Sequence, residues 1–269
     1  MAGRLGIIAC DGALPVQIAE ANPEAFVVSL VGVRHQLGKR AQEHHIEKIG
    51  GLFNALSSEG VTRLVFAGSL DRPSLDPGLF DSEMLSVAPR LVAAMQNGDD
   101  ALLGEVIAIF EEQGFDVQGA HQVLPGLVAE APGLLAGVEP GAVDLADAAR
   151  GLDILTALSP VDVGQGCVVA GGQCLGIETV QGTDFLLKSI RKTPDHLRRG
   201  AGGVFIKAAK TDQDLRIDMP TIGPRTVAGV AGAGLAGIVI ESGRVMILER
   251  DEVLEAIGDT GLFLMAVGG

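Results

Sequence analysis

The sequence predicts an α/β protein with two domains: an N-terminal Rossmann-like parallel-sheet domain over residues 1–134, and a C-terminal α+β domain over residues 135–269. In the first half, near-continuous apolar runs alternate with segments of helical spacing, which is typical of a parallel sheet covered by helices. Residues 131–141 (APGLLAGVEPG) are dense in Gly and Pro and indicate a boundary. Beyond them the order of strands and helices changes.

The elements of the first half follow from local hydrophobic patterns. Strands are predicted at residues 5–10, 25–31 and 64–67, and helices at 14–21, 42–57, 81–96 and 101–113. In the second helix, Ile46, Ile49, Phe53 and Leu56 share one face. Because ligands of open parallel sheets bind beyond the carboxyl ends of the strands, we expect binding loops at residues 9–15, 31–34 and 68–73. The first loop lacks the G-x-G-x-x-G pattern of dinucleotide sites.

The elements of the second half are predicted from the helical and the strand periods of its apolar residues. Helices are expected at residues 144–158 and 251–257, and a further helix is expected to begin near 227 after a Gly-Pro turn. Strands are expected at 166–170, 175–180, 204–207, 236–240, 245–248 and 261–267. This mixture predicts the α+β arrangement.

Composition excludes several classes of function. The chain has 34 acidic and 20 basic residues, a net charge of −14, so it does not bind nucleic acid by bulk charge. It has no Trp or Tyr, which disfavours stacking platforms for single strands. Its longest run without charge or strong polarity, residues 227–240, is shorter than the roughly 20 residues that span a bilayer. Cys10, Cys167 and Cys174 form no C-x-x-C pair and predict reduced thiols in a cytoplasmic protein.

The charges are distributed unevenly along the chain. Residues 91–187 contain 14 acidic residues and one basic residue, whereas residues 188–225 contain nine basic and four acidic residues. Such a basic concentration in a negative protein can bind an anionic ligand. It can equally be a solvated segment that compensates acidic neighbours, and the sequence leaves both interpretations open.

The densest polar segment is residues 207–226, KAAKTDQDLRIDMPTIGPRT. If residues 212–218 are extended, Asp212, Asp214, Arg216 and Asp218 share one face. Carboxylates beside an Arg suit Mg²⁺ together with a phosphate, because Mg²⁺ takes oxygen ligands from one or two carboxylates, phosphate and water. An exposed acidic strand edge that prevents aggregation is the alternative.

Polar and Gly-rich turns surround this segment. Residues 182–184 (GTD) open a predicted helix, with Thr183 or Asp184 as its N-cap and Lys188 one turn later. The Gly-Pro turn at residues 223–224 leaves free amides beside Thr226. Gln165 and Gly171 lie in Gly-rich turns that can pass close to a sugar or nucleotide, although a simple turn is an equally good account.

With these segments in order, the chain resembles the UDP-2,3-diacylglucosamine pyrophosphatases of lipid A biosynthesis, the family unrelated to calcineurin-like phosphoesterases. The resemblance is carried by LGIIACDGALP (5–15), GLFNALSSEGVTRLVFAGSLDRP (51–73), ALLGEVIAIFEEQGFDVQGAHQVLPGLVA (101–129), DVGQGCVVAGGQCLGIETVQGTDFLL (162–187) and KAAKTDQDLRIDMPTIGPRTV (207–227). It implies a two-domain, homodimeric, Mg²⁺-dependent hydrolase that cleaves UDP-2,3-diacylglucosamine to UMP and 2,3-diacylglucosamine 1-phosphate. Contact with the inner membrane is compatible with so amphiphilic a substrate.

The resemblance and the residue patterns together give the candidate site. The catalytic candidates are Asp218, Asp214 and Arg216, and the metal candidates are Asp214, Asp218 and Asp184. The candidate substrate contacts are Asp11, Gly12, Gly68, Gln165, Gly171, Gly182, Thr183, Lys188, Lys207, Lys210, Gln213, Thr221, Gly223 and Thr226. We expect metal-assisted attack of water on the pyrophosphate. A non-catalytic lipid or nucleotide-sugar carrier and a hydrolase of a soluble sugar nucleotide are the alternatives.

Overall fold

The computed structural model describes residues 3–70, 73–211 and 213–268. The chain forms two compact units. The first contains Met1–Pro125 together with Asp214–Asp218, and the second contains Gly126–Gln213 and Met219–Gly269. A five-residue piece of the second half of the sequence therefore belongs to the first unit.

The first unit is a five-stranded parallel sheet with the order β3-β2-β1-β4-β5. Its elements are β1 (Arg4–Ala9), α1 (Leu14–Ala21), β2 (Phe26–Leu30), β3 (Gln42–His44), α2 (Ile49–Ser58), β4 (Val61–Ala67), α3 (Ser82–Met95), α4 (Asp99–Glu112), β5 (Asp116–Gln118) and α5 (Ala120–Val123). The predicted parallel-sheet domain is confirmed, and α1 has the predicted bounds.

Aromatic packing joins the helices of this unit to its sheet. Phe53 of α2 and Phe66 of β4 each meet Phe110 of α4 edge to face, with ring centroids 5.1 and 5.2 Å apart. Such edge-to-face pairs are worth about 0.5–1.5 kcal/mol beyond the area that they bury. The apolar faces predicted from helical spacing thus form one core under α2, α3 and α4.

The helix predicted over residues 42–57 is wrong in its first part. Gln42–His44 is an edge strand, β3, which pairs with Val28–Leu30 of β2, and the helix begins at Ile49. The polar composition of residues 42–44 matches a solvent-exposed sheet edge, which charged side chains protect from further pairing. Only the neighbouring strand makes this segment extended. Short β5, which the sequence analysis missed, is likewise stabilised by pairing with β4.

The second unit contains a mixed six-stranded sheet with the order β6-β13-β11-β9-β7-β8. Its elements are β6 (Gly133–Gly137), α6 (Ala142–Leu158), β7 (Gly166–Ala170), β8 (Gln173–Ile177), α7 (Thr183–Ile190), β9 (Val204–Lys207), β10 (Thr221–Ile222), α8 (Pro224–Gly232), β11 (Gly237–Glu241), β12 (Met246–Ile247), α9 (Arg250–Thr260) and β13 (Phe263–Val267). Strands β9, β11 and β13 are parallel, and the other pairings within this sheet are antiparallel.

The predicted boundary between residues 134 and 135 falls inside β6, which pairs with β13. The Gly- and Pro-rich stretch is therefore an edge strand of the second sheet rather than a linker. Among the described residues, no helix is both long and apolar enough to cross a membrane.

A buried carboxylate holds the β7–β8 turn of the second unit. Asp147 of α6 is 1 % exposed, and it accepts the amides of Gly171 at 2.9 Å and Gly172 at 2.7 Å. Both glycines have positive φ, +55° and +74°, which L side chains rarely adopt. The turn thus depends on a helix residue whose charge is neutralised by backbone amides.

We predict that Asp147→Ala lowers the free energy of unfolding by about 3 kcal/mol, because the amides of Gly171 and Gly172 lose a charged acceptor that bonds to both of them. Urea denaturation followed by circular dichroism measures the change. Asp153→Ala, an exposed position on the same helix, is the matched control and should change stability by less than about 0.5 kcal/mol. Equal denaturation midpoints for the two variants would contradict the role given to Asp147.

Candidate functional site

The carboxyl ends of the five parallel strands of the first unit lie at one edge of its sheet, as predicted. β1 has β2 on one side and β4 on the other, so its carboxyl end is a topological switch point, where ligands of such sheets bind. At this point the Asp11 amide donates to the Ser69 carbonyl oxygen at 3.1 Å, and the Ser69 amide donates to the Asp11 carbonyl oxygen at 2.9 Å. The loops after β1 and β4 are therefore tied together.

Asp11, Gly12 and Gly68 meet at this point. The Asp11 carboxylate accepts the Gly12 amide at 2.9 Å and Arg34 Nη2 at 3.0 Å. Gly68 has φ +94°, and a Cβ on it would lie 2.4 Å from the Asp11 carbonyl oxygen. Glycine is thus required by both conformation and space. These three predicted substrate contacts are neighbours in the first unit.

The segment predicted to be an extended strand over residues 212–218 is instead a turn in its described part. The amides of Ile217 and Asp218 donate to the Asp214 carbonyl oxygen at 3.4 and 3.2 Å. No strand pairs with these residues, and Asp212 lies outside the described residues. The proposed alternation of side chains on one face is therefore wrong for Asp214, Arg216 and Asp218.

Two carboxylates hold Arg216. Its Nε and Nη2 donate to Asp214 at 3.0 and 2.7 Å, and its Nη1 donates to Glu111 of α4 at 2.7 Å. This guanidinium holds the pKa of the Asp214 carboxyl below its usual range, mainly through the side-chain hydrogen bond. Asp214 is therefore ionised at neutral pH, and Ile217 beside it packs on the core of the first unit.

The same turn lies at the carboxyl end of β5. A Cβ on Gly119, the residue after β5, would lie 3.3 Å from the Arg216 Cα, which places the turn of residues 214–218 against this loop. The imidazole of His121, two residues further along the chain, also lies in the space where a Cβ of Gly119 would be. The sequence analysis did not identify this residue. The predicted catalytic residues thus stand at the sheet edge where parallel-sheet proteins bind ligands.

A second polar cluster lies in the second unit, at the carboxyl end of β9. Lys207 Nζ donates to both carboxylate oxygens of Glu178, at 2.8 and 3.1 Å, and to Thr183 Oγ1 at 2.9 Å. The Thr183 hydroxyl donates to Glu178 Oε1 at 2.7 Å. Lys207 is 6 % exposed and Glu178 9 % exposed. The sequence analysis assigned no role to Glu178, although a charged residue directly after an apolar strand is a signal that could have identified it.

The helix α7 begins differently from the prediction. Its N-cap is Gly182, with φ +80°, and Thr183 is its first residue, because the Thr183 hydroxyl bonds to Glu178 instead of capping the helix. Asp184 pairs with Arg225 of α8 rather than with Lys188, which is exposed. The amino ends of α7 and α8 are thereby joined.

The remaining predicted contacts are dispersed. Lys210 Nζ pairs with Asp162 at 2.6 Å, and its amide donates to Gln213 Oε1 at 3.2 Å. Thr226 Oγ1 accepts the Gly223 amide at 3.3 Å near the start of α8, and Thr221 pairs with Met246 across β10 and β12.

The two candidates in Gly-rich turns lie at opposite ends of β7. The Gln165 carbonyl oxygen accepts the Ala208 amide at 3.0 Å, beside Lys207. In contrast, Gly171 follows the opposite end of β7, where Asp147 engages its amide.

Basic residues of the segment 188–225 form ion pairs with acidic residues of the segment 91–187. The acidic partners of Lys207, Lys210, Arg216 and Arg225 include Glu178, Asp162, Glu111 and Asp184, all from residues 91–187. Much of the asymmetry seen in the sequence is therefore internal compensation, the second of the two interpretations. An anionic ligand at these residues would have to compete with a carboxylate.

The described residues include no group of three or more His, Cys, Asp or Glu side chains placed to hold a metal ion. Asp184 belongs to the second unit, whereas Asp214 and Asp218 belong to the first, one turn apart. A pair of carboxylates is nevertheless the number that Mg²⁺ takes when phosphate and water supply its other ligands. At residues 214–218 Arg216 already donates to both carboxylate oxygens of Asp214, so a cation there would share that carboxylate with the guanidinium.

Comparison with known proteins identifies the family. The sequence profile of the LpxI N-terminal domain matches residues 4–127, and that of the LpxI C-terminal domain matches residues 131–265. The chain belongs to the LpxI family. A relative from Caulobacter vibrioides, the UDP-2,3-diacylglucosamine pyrophosphatase LpxI, is 38% identical over 275 residues, which cover 98% of this chain and 97% of the relative. The resemblance found in the motifs is thus confirmed over nearly the whole length.

We predict that Lys207→Met alone lowers the free energy of unfolding by about 3–5 kcal/mol, because it leaves the Glu178 carboxylate buried without its cation. The double variant Glu178→Gln/Lys207→Met should recover at least half of that loss, since both charges are then gone. Urea denaturation of the two single variants and the double variant measures the coupling. Additive losses in the double variant would show that the pair does not act as a unit.

Proposed function

We propose that this chain hydrolyses the pyrophosphate bond of UDP-2,3-diacylglucosamine and releases UMP and 2,3-diacylglucosamine 1-phosphate. The observation that carries the proposal is the 38% identity over 98% of the chain to a pyrophosphatase named for this substrate. The geometry supports it, because an ionised carboxylate and a guanidinium stand at the carboxyl edge of a parallel sheet.

In this proposal Asp218 is the first catalytic candidate, as in the sequence analysis. It lies one turn from Asp214, and the turn is held to the first unit by Arg216 and Glu111. Asp214 and Asp218 would hold Mg²⁺, which supplies charge neutralisation at the phosphate oxygens. Arg216 keeps Asp214 ionised and orients it, and Lys207 and Lys210 are proposed contacts of the anionic substrate.

Further parts of the proposal rest on the family resemblance. These are a homodimeric state, peripheral contact with the membrane that holds the amphiphilic substrate, and a contribution of Asp184 to metal binding. The salt bridge of Asp184 with Arg225 would have to open for that contribution.

We predict that Asp218→Ala lowers turnover by orders of magnitude, about 10²–10⁴-fold if only acid–base work at Asp218 is lost. Steady-state hydrolysis of UDP-2,3-diacylglucosamine in detergent micelles, with products separated by thin-layer chromatography, measures the change. Asp259→Ala, an exposed Asp of α9, is the matched control and should leave turnover unchanged. Near-normal turnover of a correctly folded Asp218→Ala variant would remove Asp218 from the catalytic residues.

We also predict that product release stops when EDTA removes divalent cations and returns when Mg²⁺ is added in excess. The physical reason is that two carboxylates at one turn bind a phosphate poorly without a cation between them. The same assay, run with substrate and with UDP-N-acetylglucosamine, distinguishes the alternatives. Stoichiometric binding without product would favour a carrier, and equal hydrolysis of the soluble nucleotide would favour a hydrolase that ignores the acyl chains.

A further inference from the structure

His121 occupies a particular position beside the turn of residues 214–218. It follows β5 by three residues, so it stands at the carboxyl edge of the first sheet, where Asp11 and Gly68 follow β1 and β4. A Cβ on Gly119 would lie 2.5 Å from Cε1 and 2.7 Å from Nδ1 of His121, and 3.3 Å from the Cα of Arg216. The imidazole and the turn therefore share one small space that the missing side chain of Gly119 leaves open.

The ring carries a polar atom that nothing in the described part of the chain satisfies. His121 is half-buried, and its Nδ1 is inaccessible to solvent without a hydrogen-bond partner among the described residues. A buried nitrogen without a partner costs roughly 1–3 kcal/mol. Native structures keep few such atoms, and a catalytic role of the group is one of the explanations for them.

The surroundings of the imidazole determine its charge. The charged groups of the facing turn are Asp214, Arg216 and Asp218, and Glu111 binds that turn from α4. Burial lowers the pKa of His121 from its ordinary value. The ring is therefore neutral at neutral pH, and one of its nitrogens is free to accept a proton.

We propose that His121 accepts the proton of the water that attacks the pyrophosphate. The inference rests on the proposed function and adds a catalytic residue to it. In this step the water oxygen forms a bond to one phosphorus while its proton passes to Nε2 of His121, the ring nitrogen that is not closed off from solvent. The bond from that phosphorus to the bridging oxygen breaks, and its electron pair stays on the leaving phosphate. The imidazolium then returns its proton to solvent.

The position of His121, rather than its unpartnered nitrogen, distinguishes it from the other histidines. Nδ1 of His35 and Nε2 of His44 are likewise inaccessible to solvent and without a partner among the described residues. His121 differs from them because it shares the space beside Gly119 with the turn that carries the catalytic candidates.

The test measures hydrolysis of UDP-2,3-diacylglucosamine by wild-type, His121→Ala and His121→Asn proteins, with thermal unfolding as the check on folding. Loss of a general base costs about 10²–10⁴-fold in kcat. We expect that loss in both variants, with KM within about threefold of wild type because proton transfer is a transition-state effect. Added imidazole should restore a measurable part of the activity of His121→Ala. His196→Ala, an exposed histidine of the second unit, is the matched control and should remain fully active.

Each other outcome overturns the inference. If His121→Asn retains turnover within about threefold of wild type, the residue only positions groups, because an amide accepts a hydrogen bond but does not take the proton. A loss confined to KM, or no effect of imidazole on His121→Ala, also rejects proton transfer. If His121→Ala does not fold, His121→Asn alone decides. Failure of wild-type protein to hydrolyse the substrate would instead overturn the proposed function itself.

Discussion

The candidate site depends on the ion pairs of Arg216. One guanidinium binds Asp214 in its own turn and Glu111 on α4, and so a five-residue piece of the second half of the chain is held on the first unit. The interaction is directional, because the planar fork of Arg presents parallel donors to a carboxylate. Packing of Ile217 on the adjacent core adds an apolar contact to the polar one. Together they fix the position of Asp218 in the chain's first unit.

Burial of charge is the second constraint. Lys207 and Glu178 are both nearly inaccessible, and taking two ions out of water costs several kcal/mol unless geometry and hydrogen bonds compensate. Here the ammonium meets both carboxylate oxygens, and the Thr183 hydroxyl bonds to each partner. A ligand phosphate that approached Lys207 would exchange one anionic partner for another.

The sequence predicted more of the fold than of the site. Elements with a strong local period, such as α1, β7 and β9, have the predicted bounds, because hydrophobic periodicity reflects burial within one segment. Short strands β3, β5 and β6 escaped prediction, since a few polar or glycine residues become extended only when a neighbouring strand pairs with them. The prediction for residues 213–218 failed for the opposite reason: their alternation is that of a strand, but no strand in the described part of the chain pairs with them.

The sequence by itself determined the family and the parallel sheet of the first unit. These depend on composition, periodicity and local motifs, which are properties of neighbouring residues. Tertiary structure alone decided which charges meet: that the basic segment pairs with the acidic one, that Glu178 faces Lys207, and that Arg216 and His121 share the space beside Gly119. Electrostatic and steric contacts act through distance in space, and residues 29 to 105 positions apart in the chain give no local pattern from which that distance follows.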